Sequence, residues 1–224
     1  MRELEPALRG GLADLALTLE DRQVALLLDY LALIQKWTQV YNLTAVRDPA
    51  EMLTHHLLDS LAVIPPLRRQ LADLPAPSRG RDAVILRLLD VGSGAGLPGV
   101  VIAICCPEIT VDCVDTVAKK VAFIRQVAAT LPLPNLQGLH ARVENLTHPY
   151  PVICSRAFAS LADFTRLSAL ALAPQGFWLA MKGKDPAGEI ADLPPSVAVF
   201  HVEQLRVPGL GAERCIVWMR AAAT

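Results

Sequence analysis

Aromatic residues make up only 5% of the 224 residues, and the chain carries almost no net charge, −1 at pH 7. A core this poor in rings must be filled by Leu, Val, Ala and Ile. A near-neutral molecule has no bulk attraction for polyanions, so a nucleic-acid partner would need a local basic face. Long apolar runs are missing as well. The longest, Val100 to Cys106, is far too short to cross a bilayer, so no membrane role is expected. No Cys-x-x-Cys and no His-Glu-x-x-His occurs. The five cysteines (Cys105, Cys106, Cys113, Cys154, Cys215) are odd in number, and neighbouring Cys105 and Cys106 would point apart on a helix. They read as small buried apolar residues, and no metal site is expected. The opening Met1-Arg2-Glu3-Leu4-Glu5 lacks the apolar stretch of a signal peptide, which sets the cytoplasm as the expected compartment.

What is present suffices for a large core: 53% hydrophobic against 19% charged residues excludes disorder as the main state. Residues 1–64 read as a helical cap. Val24, Leu27, Leu28, Leu31, Ile34, Trp37 and Tyr41 share one helix face, with Thr18 and Asp21 as the expected start signal. A second helix begins with Asp48 as cap and Pro49 at its first position, buries Met52, Leu53, Leu57, Leu61 and Ile64, and is expected to end at Pro65-Pro66. Residues 65–83 form a Pro- and Arg-rich linker with at most one helical turn.

From residue 84 to 224, short strands alternate with helices, the sign of an α/β sheet. The expected strands are Ile85–Val91, Thr110–Val114, Leu136–Ala141, Val152–Cys154, Phe177–Met181, Val197–Val202 and Cys215–Met219; the helices are Gly99–Cys106, Lys119–Leu131 and Ala162–Ala173.

The segment Leu88-Leu-Asp90-Val-Gly92-Ser-Gly94-Ala-Gly96-Leu97-Pro98-Gly99 carries the chemistry. An apolar strand ends in a carboxylate, and alternating glycines then lead into a helix. Glycines let a ligand approach the backbone, and the helix start offers unpaired N–H groups. Gly94-x-Gly96-x-x-Gly99 also matches a dinucleotide fingerprint, with Asp115 about twenty residues on. Asp90 discriminates: a carboxylate before the turn would repel a diphosphate but attract a sulfonium or an ammonium group. S-adenosylmethionine has both cations and no phosphate. A phosphate-binding Walker loop is excluded, since no Gly-Lys-Ser/Thr follows.

Asp115, closing the second strand, suits the ribose hydroxyls; a solvated strand-end acid is the plain alternative. Glu144, after the third strand, is either a surface acid or a neighbour of the adenine, with Val143 packing on the ring. Basic residues gather beside these loops: Lys119, Lys120, Arg125, Arg142, Arg156, Lys182, Lys184 and Arg214. Scattered surface cations would be ordinary, but ligands of open α/β sheets bind at strand carboxyl ends, where several of these lie. Phe158 is a candidate for stacking a base and equally for the core. His56 and Asp59, one turn apart, are expected to orient helix against sheet, or to bond locally, and not to act as an acid–base pair.

These residues resemble the RsmG (GidB) family of methyltransferases over about residues 30–220. The likeness rests on Lys36-Trp37, Tyr41-Asn-Leu-Thr-Ala-Val-Arg-Asp48, His56-Leu-Leu-Asp59-Ser60, the glycine segment through Gly99, Ser155-Arg156-Ala-Phe158-Ala-Ser-Leu161 and Lys182-Gly183. The resemblance implies a Rossmann-like class I methyltransferase sheet of seven strands, mostly parallel with the last antiparallel, behind an N-terminal helical cap. It implies methyl transfer from S-adenosyl-L-methionine to N7 of a guanine in the decoding-region hairpin of 16S ribosomal RNA, free or within the small subunit, by a monomer. Cofactor contacts carry over to Asp90, Gly92, Gly94, Gly96, Leu97, Asp115, Val143, Glu144 and Arg156. Activity falls to Arg142, Arg156 and Lys182, and RNA binding to Lys119, Lys120, Arg142, Lys182 and Arg214. Lys120 departs from a family preference for Arg, which loses a bidentate phosphate contact. Two other readings stay open on the residues alone: an NAD-dependent oxidoreductase, and a cofactor-sensing RNA-binding module.

Overall fold

The computed structural model describes residues 1–72, 86–183 and 185–222. The cap begins with α1 (Glu5–Asp14) and the long α2 (Asp21–Tyr41). Helix α2 starts from Glu20, not Thr18: the Glu20 side chain accepts from the third helical amide, and Gln23 accepts from the Glu20 N–H at 3.0 Å. A reciprocal capping pair satisfies two orphan donors at once, so it wins over a lone hydroxyl. The second helix starts as expected, with Asp48 Oδ1 accepting from Ala50 and Glu51 at 2.9 Å each. It runs as α3 (Pro49–Met52), a π-helical stretch Leu53–Leu58 and α4 (Asp59–Leu61).

Pro65-Pro66 do not close that helix. They sit in the first turn of a further helix, α5 (Ile64–Ala72), where a missing N–H costs nothing. The first part of the expected linker is therefore helical, and its remainder, like the expected strand residue Ile85, lies outside the described residues.

The sheet has seven strands: β1 (Leu86–Val91), β2 (Ile109–Asp115), β3 (Leu136–His140), β4 (Tyr150–Arg156), β5 (Leu172–Lys182), β6 (Val197–Leu205) and β7 (Arg214–Ala221). Their order is β3-β2-β1-β4-β5-β7-β6; β1 to β5 pair in parallel, and β7 is antiparallel to both β5 and β6. This bears out a mostly parallel sheet with an antiparallel last strand. Helices α6 (Gly99–Cys105), α7 (Ala118–Thr130), α8 (Leu161–Ser168) and the short α9 (Ala187–Ala191) complete the layers. The expected helix to Ala173 stops early: a 3₁₀ turn (Ala169–Ala171) leads straight into β5.

Buried strand residues alternate between two apolar clusters, as a sheet covered on both faces requires. Leu88, Cys154 and Leu179 join the cap and α6, while Leu89, Ile153 and Ala180 meet Leu161 and Phe164 of α8. The cap is tied polar-wise too, since Gln23 donates to the Ile104 carbonyl at 2.9 Å and Arg68 to the Cys105 carbonyl at 2.8 Å. These side chains satisfy the orphan carbonyls that end α6. All five cysteines are buried, and none of them forms a disulfide. Among the described residues, no helix is long and apolar enough to cross a membrane and no metal-holding cluster exists.

Candidate active site

The carboxyl ends of β1, β2, β4 and β5 meet at one rim, and the glycine turn crosses it. Gly92, Gly94 and Gly96 take positive φ angles of 66, 58 and 85°. At Gly92 close approach adds to conformation: a Cβ there would lie 2.4 Å from the Phe158 ring. A side chain is excluded on both counts.

Asp115 organises this turn. Its Oδ2 accepts from the Gly94 N–H at 3.0 Å and its Oδ1 from the Val117 N–H at 2.9 Å, and Lys120 Nζ stands 3.6 Å away. Asp90 lies beneath. It is fully buried, and its Oδ2 accepts from the Gly99 N–H at 2.9 Å at the start of α6. Burial pushes its pKa up to about 7, against the opposing pull of the Gly99 amide and of Arg156. The carboxylate thus acts first on the turn, and its Oδ1 is buried without a partner.

Two hollows flank the turn and meet at Ala157. The first, about 470 Å³, is lined by Gly92, Asp115, Lys120, Val143, Glu144 and Phe158 among others. It combines an apolar wall with an acid at the end of β2. Arg142 stands at its edge, paired with Glu144 at 2.9 Å. The second, about 350 Å³, lies between cap and sheet, lined by His55, His56, Asp59, Arg156, Lys182 and Arg214 among others. Arg156 Nη1 donates to Asp59 Oδ2 and to the His55 carbonyl, at 2.8 and 2.9 Å. Lys182 Nζ donates to Glu189 at 2.7 Å and to the Ala159 carbonyl at 3.0 Å.

The sequence-derived residues therefore divide. Gly92, Asp115, Lys120, Arg142, Val143 and Glu144 share the first hollow; Arg156, Lys182 and Arg214 share the second. Asp90, Gly94, Gly96 and Leu97 line neither: the first three build the turn, and Leu97 packs into the core beneath the cap. Lys119 is exposed on the first turn of α7. Arg125 is not a rim residue, because it donates to the Gly138 carbonyl in mid-β3. Lys184 lies outside the described residues. His56 bonds Thr44 Oγ1 at 2.9 Å, and desolvation together with the charge of Arg156 lowers its pKa to about 4. Phe158 lies half-buried on the hollow wall and meets Phe164 edge-on.

Sequence reasoning missed Tyr30 and Glu189. Tyr30 bonds the glycine turn from behind, and Glu189 holds Lys182. Neither carried a local signal: a Tyr on an apolar helix face and a Glu in a surface segment look ordinary.

Comparison with known proteins identifies the family and the fold. A family model described as GidB, rRNA small subunit methyltransferase G, matches residues 23–217. The chain is 83% identical over 223 residues to ribosomal RNA small subunit methyltransferase G of Albidiferax ferrireducens, with 100% of both chains covered. It is 69% identical to the same-named protein of Polaromonas sp. strain JS666, over 98% of this chain and 95% of that one. Among solved structures, the N-methyltransferase NodS of Bradyrhizobium japonicum, in complex with S-adenosyl-L-homocysteine, is similar with a TM-score of 0.55 at 12% identity, over 84% of this chain and 100% of NodS. TrmN of Thermus thermophilus is similar with a TM-score of 0.54 at 20% identity, over 76% of this chain and 53% of TrmN. These two likenesses speak for the fold. The family match spans most of the chain, and the chain belongs to the GidB family, rRNA small subunit methyltransferase G.

Proposed function

We propose that the protein transfers a methyl group from S-adenosyl-L-methionine to N7 of a guanine in the decoding-region hairpin of 16S ribosomal RNA. It would act in the cytoplasm as a monomer, on RNA that is free or within the small subunit. One observation carries the reading: a glycine turn closed by Asp115 separates an acid-and-apolar hollow from a cation-lined one, and the two meet at Ala157.

The first hollow fits an adenosyl group. Val143 and Phe158 offer apolar surface to a ring, and Asp115 stands where ribose hydroxyls could donate to it. Asp90 keeps the turn in shape through Gly99. When bound, S-adenosylmethionine supplies an electrophilic methyl on a cationic sulfur. A guanine N7 has an exposed lone pair and no proton to lose, so the reaction asks for no general base. The residues are consistent with that: His56 at the rim is neutral above its pKa of about 4 and is already bonded to Thr44. What remains for the chain is alignment, which can contribute roughly 7–11 kcal/mol. Arg142, Arg156 and Lys182 would hold the target nucleotide in line, and Lys119, Lys120 and Arg214 would meet the RNA backbone.

The test is mass analysis of 7-methylguanosine in 16S ribosomal RNA from cells with and without the gene, joined to methyl transfer by purified protein. Loss of the nucleoside on deletion and its return with labelled methyl in vitro are expected. Unchanged 7-methylguanosine on deletion would sink the reading.

A further inference from the structure

The cation-lined hollow holds a charge balance. Its wall has three cations, Arg156, Lys182 and Arg214, but one carboxylate, Asp59. That carboxylate comes from the cap, at the start of α4 directly after the π-helical stretch, an irregularity often found at functional sites. Asp59 Oδ2 accepts from Arg156 Nη1 and Oδ1 from Arg214 Nε, at 2.8 Å each. The Asp59 side chain is only 4% exposed, and the guanidiniums it grips stand on two different strands. Lys182 is matched separately by Glu189. Asp59, Arg156 and Arg214 together thus carry one net positive charge, and the Lys182–Glu189 pair carries none.

Methylation at N7 turns a neutral purine into a cation. The nitrogen lone pair forms the new N–C bond while the S–C bond breaks; its electrons stay on sulfur, which becomes neutral, and the positive charge spreads over the base. Bare guanidiniums beside that base would attract RNA yet oppose the reaction. In a partly enclosed hollow such repulsion is weakly screened.

We infer that Asp59 is a positioning and charge-setting residue for the target purine: it fixes the directions of Arg156 and Arg214 and cancels one of their charges, so that the wall tolerates a base becoming cationic. The inference rests on the guanine-N7 reading above. Interactions that change between ground state and transition state appear in kcat, whereas those present in both appear in affinity. Asp59 should therefore separate the two.

Asp59→Asn keeps the side-chain volume and raises the cluster by one positive charge. RNA affinity, read by filter binding, is expected to stay unchanged or tighten, while kcat at saturating S-adenosylmethionine falls about tenfold or more. Adding Arg214→Gln restores the charge, and kcat should recover several-fold relative to Asp59→Asn alone. If Asp59→Asn does not fold, Arg214→Gln by itself serves: its loss should fall mainly on RNA affinity, several-fold, and an equal or larger loss in kcat at saturating RNA would overturn the inference. Parallel losses of RNA affinity, melting temperature and kcat, with no recovery in the double variant, would mean that Asp59 is merely structural. Wild-type kcat in Asp59→Asn, beside a wild type that methylates, overturns this inference alone. A wild type forming no 7-methylguanosine overturns the parent reading and takes this one with it.

Discussion

The Tyr30 hydroxyl, on the long cap helix α2, donates to the Ala95 carbonyl in the glycine turn at 2.6 Å. Tyr30 is fully buried, and desolvation holds its phenol protonated and hence a donor. Cap and glycine turn are in this way one mechanical unit. Removing the hydroxyl leaves a buried carbonyl without its partner, which costs about 1–3 kcal/mol. Tyr30→Phe is expected to lower the melting temperature and to weaken adenosylhomocysteine binding several-fold by calorimetry. Full retention of both would show that the turn holds itself.

Gly92 is pinned by conformation and by Phe158. Gly92→Ala must bear a left-handed residue, about 1–2 kcal/mol, and must push the ring into the hollow it lines. Cofactor binding should fall more than stability does. Phe158→Ala in the same chain should restore part of it; an unrescued double variant would assign the loss to the backbone alone.

Asp115 accepts one backbone N–H with each oxygen. An amide can serve only one of them and turns its NH₂ toward the other donor. Asp115→Asn should cost about 1–3 kcal/mol of stability and abolish cofactor-induced stabilisation in thermal melts. A cofactor-dependent rise in melting temperature equal to wild type would contradict the role given to Asp115.

Two buried groups act in opposite directions on pH. Asp90 titrates near 7 when folded, above its usual 3.8, so the folded state binds the extra proton between these values and stability falls as pH rises through them. His56 titrates near 4, below its usual 6.5, so the unfolded state binds the extra proton and stability rises with pH over that span. The contributions largely cancel between about pH 4 and 6.5. Asp90→Asn should expose the His56 slope, a melting temperature that climbs with pH. His56→Gln should expose the reverse. Parallel pH profiles for both variants would refute the assignment.

Arg142 is 71% exposed and paired with Glu144, itself partly exposed. Such pairs contribute little to stability. Arg142→Ala should melt with wild type, within about 0.5 kcal/mol. Its RNA affinity should drop, and the slope of log affinity against log salt should shrink by about one. A changed melting temperature with an unchanged salt slope would place Arg142 in the fold instead.

Much of the architecture was legible because it is local. Short, mostly apolar runs such as Leu88–Val91 and Val111–Val114 mark strands buried on both faces, and these two strands lie within a residue of their expected bounds. The helix start at Asp48-Pro49 was legible for the same reason, since the cap bonds reach only two and three residues ahead. Pro65-Pro66 misled because proline both ends and begins helices, and only packing chooses. At the site, Asp115 and the hollow around Val143 and Glu144 followed from strand-end positions. Asp90 was placed on the right turn, but its burial and its bond to Gly99 were invisible, because a strand-end acid can face either way.

The chain by itself determined the glycine turn, the alternation of strands and helices, and the family. These depend on backbone preference and solvent periodicity, which neighbouring residues settle between them. Tertiary structure alone decided which charges meet. Asp59 finds Arg156 at a separation of 97 residues and Arg214 at 155, and no pattern along the sequence encodes such a meeting. Coulomb attraction depends on distance in space, and that distance exists only once the cap has folded onto the sheet.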